Sequence, residues 1–267
     1  MALFGFLGVG NMGYPLLKAA INTFGKDEVI YTSATKARRE AIFQETGIPY
    51  LEDNRAVTKQ CEYLILAVKP QIYPHILDEI KDAVHENQII ISLAVGITIE
   101  SIKKSLSKTI KVVRAMPNTP ALVSKGMTGI SFSEDDFSED ERNIIDRLFS
   151  SFGKYEVFDE NLMNAVACAS GSSPAYAYLF IEALADSVVS YGIPRDKAYS
   201  LAAQTLLGAA SMVMETGEHP GRLKDRVCSP GGTTIAAVKA LEEYGFRNAI
   251  MKATDACYNR SKELSKN

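Results

Sequence analysis

Ala2-Leu3-Phe4-Gly5-Phe6-Leu7-Gly8-Val9-Gly10-Asn11-Met12-Gly13 opens the chain and decides how the rest is read. Residues 3–7 form an apolar run that ends on a glycine. Gly8, Gly10 and Gly13 then follow the spacing G-x-G-x-x-G, with a helical segment predicted over 12–24. Each glycine of such a turn has its own task. Gly8 permits the tight turn, Gly10 lets the main chain approach a pyrophosphate, and Gly13 lets the helix pack closely on the strand. The helix start offers free N–H groups and the positive end of its dipole to phosphates. Gly8, Gly10, Asn11, Met12 and Gly13 are therefore candidate contacts to a dinucleotide.

Working outward, short apolar runs alternate with amphipathic segments over the first 160 residues. The runs lie at 3–7, 29–32, 63–68 (YLILAV), 89–93 (IIISL) and 110–115 (IKVVRA), with a further strand predicted at 127–132 and an edge strand at 155–158. Runs apolar on both faces and separated by helices indicate a parallel sheet covered on both sides. The α/β fold expected is thus a Rossmann-type, doubly wound, mainly parallel sheet. Ser138 with Glu141 forms a capping box before a helix at 143–151. Past residue 159 no strand pattern recurs, and helices are predicted at 175–190, 196–214, 235–243 and 246–264. A boundary near 160 follows: a dinucleotide-binding domain over 1–160 and an all-α domain over 161–267. The 196–214 helix is rich in small residues and almost uncharged after Asp196 and Lys197, the pattern of a helix buried on all sides. Either a partner subunit covers one of its faces, or it is the central helix of a bundle.

The second strand end speaks to the cofactor. An NAD site has an Asp or Glu there to accept from the ribose 2′-hydroxyl. Here the chain reads Tyr31-Thr32-Ser33-Ala34-Thr35-Lys36, with Arg38 and Arg39 beyond. Hydroxyls and cations suit a 2′-phosphate that a carboxylate would repel. NADP(H) is the expected cofactor, NAD(H) staying open as the second choice, with Ser33, Thr35 and Lys36 as contacts. Two more strand ends should face it, because ligands sit at the carboxyl ends of parallel strands. Ala67-Val68-Lys69-Pro70 is one, with Lys69 able to reach a phosphate or a carboxylate. The other is 92–96, where Ala94 and Gly96 leave room for a nicotinamide. Asn54 and Asn118 complete the candidate cofactor set.

Composition removes several classes. The 267 residues are 46% hydrophobic and 23% charged, which suits a packed globular chain. Twenty-nine basic residues against 32 acidic leave a net charge of −3, without the basic footprint of a nucleic-acid binder. Cys61, Cys168, Cys228 and Cys257 stand far apart, as do His75, His85 and His219, so no metal site is predicted. Scattered thiols suit a reducing compartment. No stretch is apolar for long enough to span a membrane, and the N-terminus lacks the basic start of a signal peptide. A cytoplasmic protein is expected.

The motifs then converge. VRAMPNTPALVSKGMTG at 113–129, SGSSPAYAYLFIEALAD at 170–186, HPGRLKDRVCSPGGTTI at 219–235, AVKPQ at 67–71 and the opening GFLGVGNMG together resemble the pyrroline-5-carboxylate reductases over the whole length. The resemblance implies NAD(P)H-dependent reduction of 1-pyrroline-5-carboxylate, a cyclic imino acid, to L-proline, the last step of proline synthesis. It implies a homodimer through the C-terminal helical domain, and rings of dimers such as a decamer. It also implies that Thr234 bonds the imine nitrogen while groups around Ser229, Gly232 and Thr233 hold the substrate carboxylate. On physical grounds a Gly-Gly-Thr-Thr segment at a helix start is an anion cradle, although Thr234 could instead be a simple cap of its own helix. Hydride moves to the imine carbon, and a protonated iminium needs no strong acid, so Thr234 should act chiefly by positioning.

The chain departs from the family's common pattern at Ser173, expected to cap a helix that begins at Pro174. It departs also at Cys228, read as a small buried filler, and at Arg226, which reaches either the cofactor or solvent. Two rivals are weaker. A β-hydroxyacid dehydrogenase carries a catalytic lysine on the first helix after the nucleotide domain, yet residues 161–190 hold no lysine. A non-enzymatic NADP-binding paralogue would be expected to lose the 229–234 loop, which is intact.

Overall fold

The computed structural model describes residues 1–106 and 109–264. Among the described residues seven strands form one sheet: β1 (Ala2–Leu7), β2 (Val29–Thr32), β3 (Cys61–Leu66), β4 (Ile89–Ser92), β5 (Lys111–Met116), β6 (Gly126–Phe132) and β7 (Gly153–Val157). Their order is β2-β1-β3-β4-β5-β6-β7, and every neighbouring pair is parallel except β5 with β6. Helices α1 (Gly13–Phe24), α2 (Lys36–Thr46), α3 (Asn54–Thr58), α4 (Tyr73–Ile80), α5 (Ile99–Ser105) and α6 (Glu139–Ser150) lie between the strands. The apolar runs bury both of their faces. One core cluster joins Phe4, Phe6, Leu16, Leu17 and Val113, and a second joins Leu7, Leu64, Leu66, Ile90 and Ile102. This is the doubly wound, mainly parallel sheet expected from the alternation.

Local signals explain the element ends. The Ser138–Glu141 capping box is present in full: Ser138 Oγ accepts from the Glu141 N–H at 3.2 Å and Glu141 Oε2 from the Ser138 N–H at 2.7 Å. Helix α2 starts on Thr35, whose hydroxyl accepts from the Arg38 N–H, and stops on Gly47 in the left-handed region. Strand β3 begins two residues before the apolar run, because Ala2 pairs with Cys61 at the start of the ladder.

Beyond the sheet come α7 (Met163–Val166), a π-turn over Ala167–Gly171, α8 (Pro174–Val189), α9 (Arg195–Thr216), α10 (Pro220–Val227), α11 (Thr233–Glu243) and α12 (Phe246–Leu264). The chain divides into two compact units. One comprises Met1–Ser172 with the C-terminal stretch from Cys257, and the other comprises Ser173–Ala256. The second unit buries little of its own apolar surface. Its core cluster is Ala185, Ala198 and Ala202, between α8 and α9. On α9, Leu201 is 54% exposed and Leu207 53%. Helix α9 is therefore not the buried centre of a bundle within one chain, and that reading of its sequence is corrected. Ser173 stands before α8 in helical backbone and makes no capping hydrogen bond, so the expected cap is corrected too.

Candidate active site

The glycine turn sits between β1 and α1. Gly8 has φ +87°, a conformation that side chains disfavour, and its N–H donates to Thr32 O at 3.1 Å, tying the turn to β2. A Cβ on Gly13 would lie 2.5 Å from Gly8 O and 2.9 Å from the Ala67 methyl, so only glycine lets α1 start this close to the turn and to the end of β3. A Cβ on Gly10 would meet nothing within 4 Å. The open side of the turn is thus at Gly10. Helix α1 begins after Met12 with no side-chain cap and no acidic residue in its first turn. Its N–H groups are left to an anion, and the residues present fit the pyrophosphate of a dinucleotide.

Beside this turn the three cations after β2 have different fates. Arg39 is buried. It donates to Ser33 O at 2.6 Å and to Glu52 Oε2 at 3.1 Å, with its guanidinium over the Tyr50 ring. Arg38 is exposed, stacks over the Tyr14 ring at 5.3 Å, and donates from Nε to Val9 O at 3.2 Å. Lys36 is exposed and lies 3.7 Å from Glu40. Burial pushes the Tyr31 hydroxyl up to about 12, and it donates to Arg39 O at 2.7 Å, fixing the start of α2 on β2. Of the hydroxyls named from the sequence, Thr35 caps α2 while Ser33 offers its carbonyl to Arg39.

At the next strand ends, the Ala67 N–H donates to Leu7 O at 2.9 Å, so Ala67 extends the pairing beside the glycine turn and Val68 follows in a bend. Lys69 is exposed and precedes a 3-10 turn that starts at Pro70. Ala94 is buried, and Gly96 has φ +82°. Two candidates have amides already engaged. Asn118 is buried. Its Nδ2 donates to Ser170 O at 3.0 Å and its Oδ1 accepts from the Met127 N–H at 2.9 Å. Asn54 Nδ2 donates to Glu79 Oε2 at 2.7 Å. The Asn118 side chain is a clamp between β6 and the π-turn, so its amide serves the scaffold at the end of β5.

In the second unit, α11 begins at Thr233 after Gly232, which has no side chain to cap it, and no acidic residue occupies its first turn. Gly231 has φ +71°, and the Gly232 N–H donates back to Ser229 O at 3.0 Å, so 229–232 closes a tight loop ahead of the helix. Thr234 lies inside the first turn and is not the cap; its hydroxyl is left without a hydrogen-bond partner among the described residues. Cys228 is half-buried, not the buried filler expected, and Arg226 pairs with Glu218 at 2.7 Å. Among the described residues no group of three or more metal-ligating side chains gathers, and no helix is long and apolar enough to cross a membrane.

Comparison with known proteins places this geometry. Residues 160–264 match the family described as pyrroline-5-carboxylate reductase dimerisation, and residues 3–96 match NADP oxidoreductase, coenzyme F420-dependent. The chain is 43% identical to the pyrroline-5-carboxylate reductase of Escherichia coli K12, over 98% of each chain. It is 40% identical to that of Pisum sativum, over 98% of this chain and 95% of the relative. Its fold matches the Coxiella burnetii pyrroline-5-carboxylate reductase with a TM-score of 0.90 at 34% identity, covering 100% and 99% of the two chains. It also matches a Plasmodium falciparum pyrroline carboxylate reductase solved with NADP bound, with a TM-score of 0.89 at 30% identity, covering 99% and 98%. With nucleotide turn, helix-start loop and sequence kinship running the length of the polypeptide, the chain belongs to the pyrroline-5-carboxylate reductase family.

Proposed function

We propose that this protein reduces the ring imine of 1-pyrroline-5-carboxylate to L-proline with NADPH. One observation carries the reading beyond kinship. Helix α11 starts on glycine, with no acid in its first turn and with the Thr234 hydroxyl unspent, which suits a small ring bearing one carboxylate and one basic nitrogen. Residues 1–160 act as the cofactor domain and 161–267 as the substrate and dimerisation domain.

NADPH, when bound, supplies the hydride. Gly8, Gly10 and the start of α1 hold its pyrophosphate, and Arg38 with Lys36 faces its 2′-phosphate. Ala67, Val68, Lys69 and Pro70 with Ala94 and Gly96 border the rest. Main-chain N–H groups from Gly232 onward take the substrate carboxylate, and Ser229 shapes the loop that presents them. Thr234 Oγ1 orients the imine nitrogen and steadies its proton as the nitrogen becomes more basic. Positioning contributes most of the acceleration, since the iminium is already an electrophile.

The exposed leucines of α9 and the near absence of a core in the second unit support a homodimer built through that unit, with rings such as a decamer as the fuller assembly. A cytoplasmic location fits the scattered free thiols. The test is direct: purified protein with 1-pyrroline-5-carboxylate and NADPH should form proline at a rate of at least about 1 per second, the low end for ordinary enzymes. Binding of NADPH without any proline formed would sink the reading.

A further inference from the structure

Arg114 projects from β5 into the first unit and is 3% exposed. Its neighbours across the sheet are Ser92 on β4 and Ser131 on β6. Its Nε and one terminal nitrogen are buried with no hydrogen-bond partner. The other terminal nitrogen donates to Glu160 Oε1 at 3.1 Å. That same carboxylate oxygen accepts from the Ile99 N–H at 2.7 Å, the first N–H of α5. One oxygen therefore balances a buried cation in the sheet and closes a helix start, where a negative charge is favoured.

Residues 93–98 join β4 to that helix start, and Ala94 and Gly96 belong to them. The segment is fixed at three points. At its head, the Leu93 N–H donates to Leu66 O at 3.1 Å, while the Ser92 hydroxyl before it meets the Tyr73 hydroxyl at 3.0 Å. In the middle, Val95 packs on Met116, Met163, Val166 and Ala167. At its foot, Glu160 holds Ile99. Packing and backbone pairing secure the first two points without any charge. The third depends on a carboxylate 61 positions away in the sequence.

We propose that Glu160 is a positioning residue for the 93–98 segment, holding its α5 end through the shared contact with Arg114 and Ile99. The proposal rests on the cofactor reading above, in which Ala94 and Gly96 border the nicotinamide. Without the carboxylate, Arg114 becomes an unpaired buried cation and the first N–H of α5 loses its acceptor. The hydrogen bonds of Glu160 described above go to Arg114 and Ile99, not to the groups assigned to the adenosine end, so the loss falls on the nicotinamide half of the cofactor alone.

Calorimetric titration of the apoprotein separates these halves. NADPH is compared with 2′-phospho-ADP-ribose, which lacks the nicotinamide, on the unaltered protein, Glu160→Ala and Glu160→Gln. Glu160→Ala should weaken NADPH about tenfold and leave 2′-phospho-ADP-ribose within about twofold, the scale of one lost charged hydrogen bond. Glu160→Gln keeps an acceptor oxygen in place and should recover NADPH binding to within about threefold of the unaltered protein. Equal weakening of both ligands, or NADPH binding unchanged in Glu160→Ala, overturns the proposal. If Glu160→Ala does not fold, Glu160→Asp, whose shorter side chain withdraws the carboxylate from Ile99 and Arg114, decides in its place: a loss of about threefold or more confined to NADPH supports the role, and no loss or a shared loss refutes it. Unaltered protein that binds neither ligand overturns the cofactor reading itself, a result distinct from all of these.

Discussion

Arg38 Nε donates to the carbonyl oxygen of Val9 at 3.2 Å, joining the first turn of α2 to the glycine turn. The side chain is thereby held beside the uncapped start of α1 while its guanidinium stays exposed above Tyr14. The adjacent Arg39 faces inward and spends its donors on Ser33 and Glu52. Two neighbouring arginines thus face opposite ways, one outward over the glycine turn and one into the scaffold.

Their substitutions should separate accordingly. Arg38→Gln should raise KM for NADPH about tenfold, with KM for NADH within about twofold, because only the 2′-phosphate loses a charged partner. Arg39→Gln should leave the NADPH to NADH ratio alone and lower Tm by several degrees, having removed a half-satisfied buried network. Steady-state kinetics with both cofactors and a thermal melt of each variant check the pair. A shift of the cofactor ratio in the Arg39 variant would reverse the assignment.

The glycines of the turn divide in the same way. At Gly10 an added methyl meets only open space, so Gly10→Ala should melt like the unaltered protein yet bind NADPH about tenfold or more weakly, since the methyl stands where the pyrophosphate must approach. At Gly13 the methyl runs into the Gly8 carbonyl, which cannot yield. Gly13→Ala should therefore be destabilised by about 1–3 kcal/mol before any ligand is added. Apo-state melts and NADPH titrations read both effects. A stable Gly13→Ala would remove the packing argument.

How much of this was legible in the sequence follows from what each feature depends on. The sheet was legible because its runs are apolar on both faces, a local property. Helices α3, α4, α5 and α10 carry too weak a sequence signal to be read, because stretches of five to eight residues show barely two turns of periodicity. The division between Arg38 and Arg39 depends on which way each faces, and no motif records that. Glu160 and Arg114 lie 46 positions apart, and only the return of the chain past β7 brings them together. Within the Met-Pro-Asn-Thr-Pro stretch no motif shows that the Asn118 amide is committed to Ser170 and Met127, because those partners come from other elements. For α9 the composition suits a helix with cover on more than one face, but a sequence does not say where cover comes from, and this chain buries only Ala198 and Ala202 of it.

Alkaline titration offers an independent check on the core. Burial pushes the Cys61 thiol up to about 12, only partly opposed by the Gln88 amide that donates to its sulfur. In the unfolded chain a thiol ionises near 8.5. The native state therefore holds its proton where the unfolded state has lost it, and the stability is intact below about pH 8.5 and lost as pH rises toward 12. The expected loss is about 1.4 kcal/mol per pH unit within that window. Cys61→Ala should cost a fixed amount at neutral pH and flatten the slope, since Gln88 Nε2 keeps Thr58 O and Cys61 O as acceptors. Urea melts from about pH 7 to 11 measure this. Parallel slopes for the two proteins would show that the thiol ionises in place.

Thr234 gives the sharpest test of the chemistry. Gly232 and not Thr234 occupies the cap position of α11, and the Thr234 hydroxyl has no partner among the described residues, so removing it leaves the helix as it was. Thr234→Ala should melt within about 0.5 kcal/mol of the unaltered protein. Its KM for NADPH should hold, while kcat falls by roughly 10–1000-fold, the range for one oriented hydrogen bond or proton contact at the reacting nitrogen. Thr234→Ser keeps the oxygen and should restore most of the rate. A parallel rise in KM for NADPH would place the defect in the cofactor site, and an unchanged kcat would strip Thr234 of its part in the reaction.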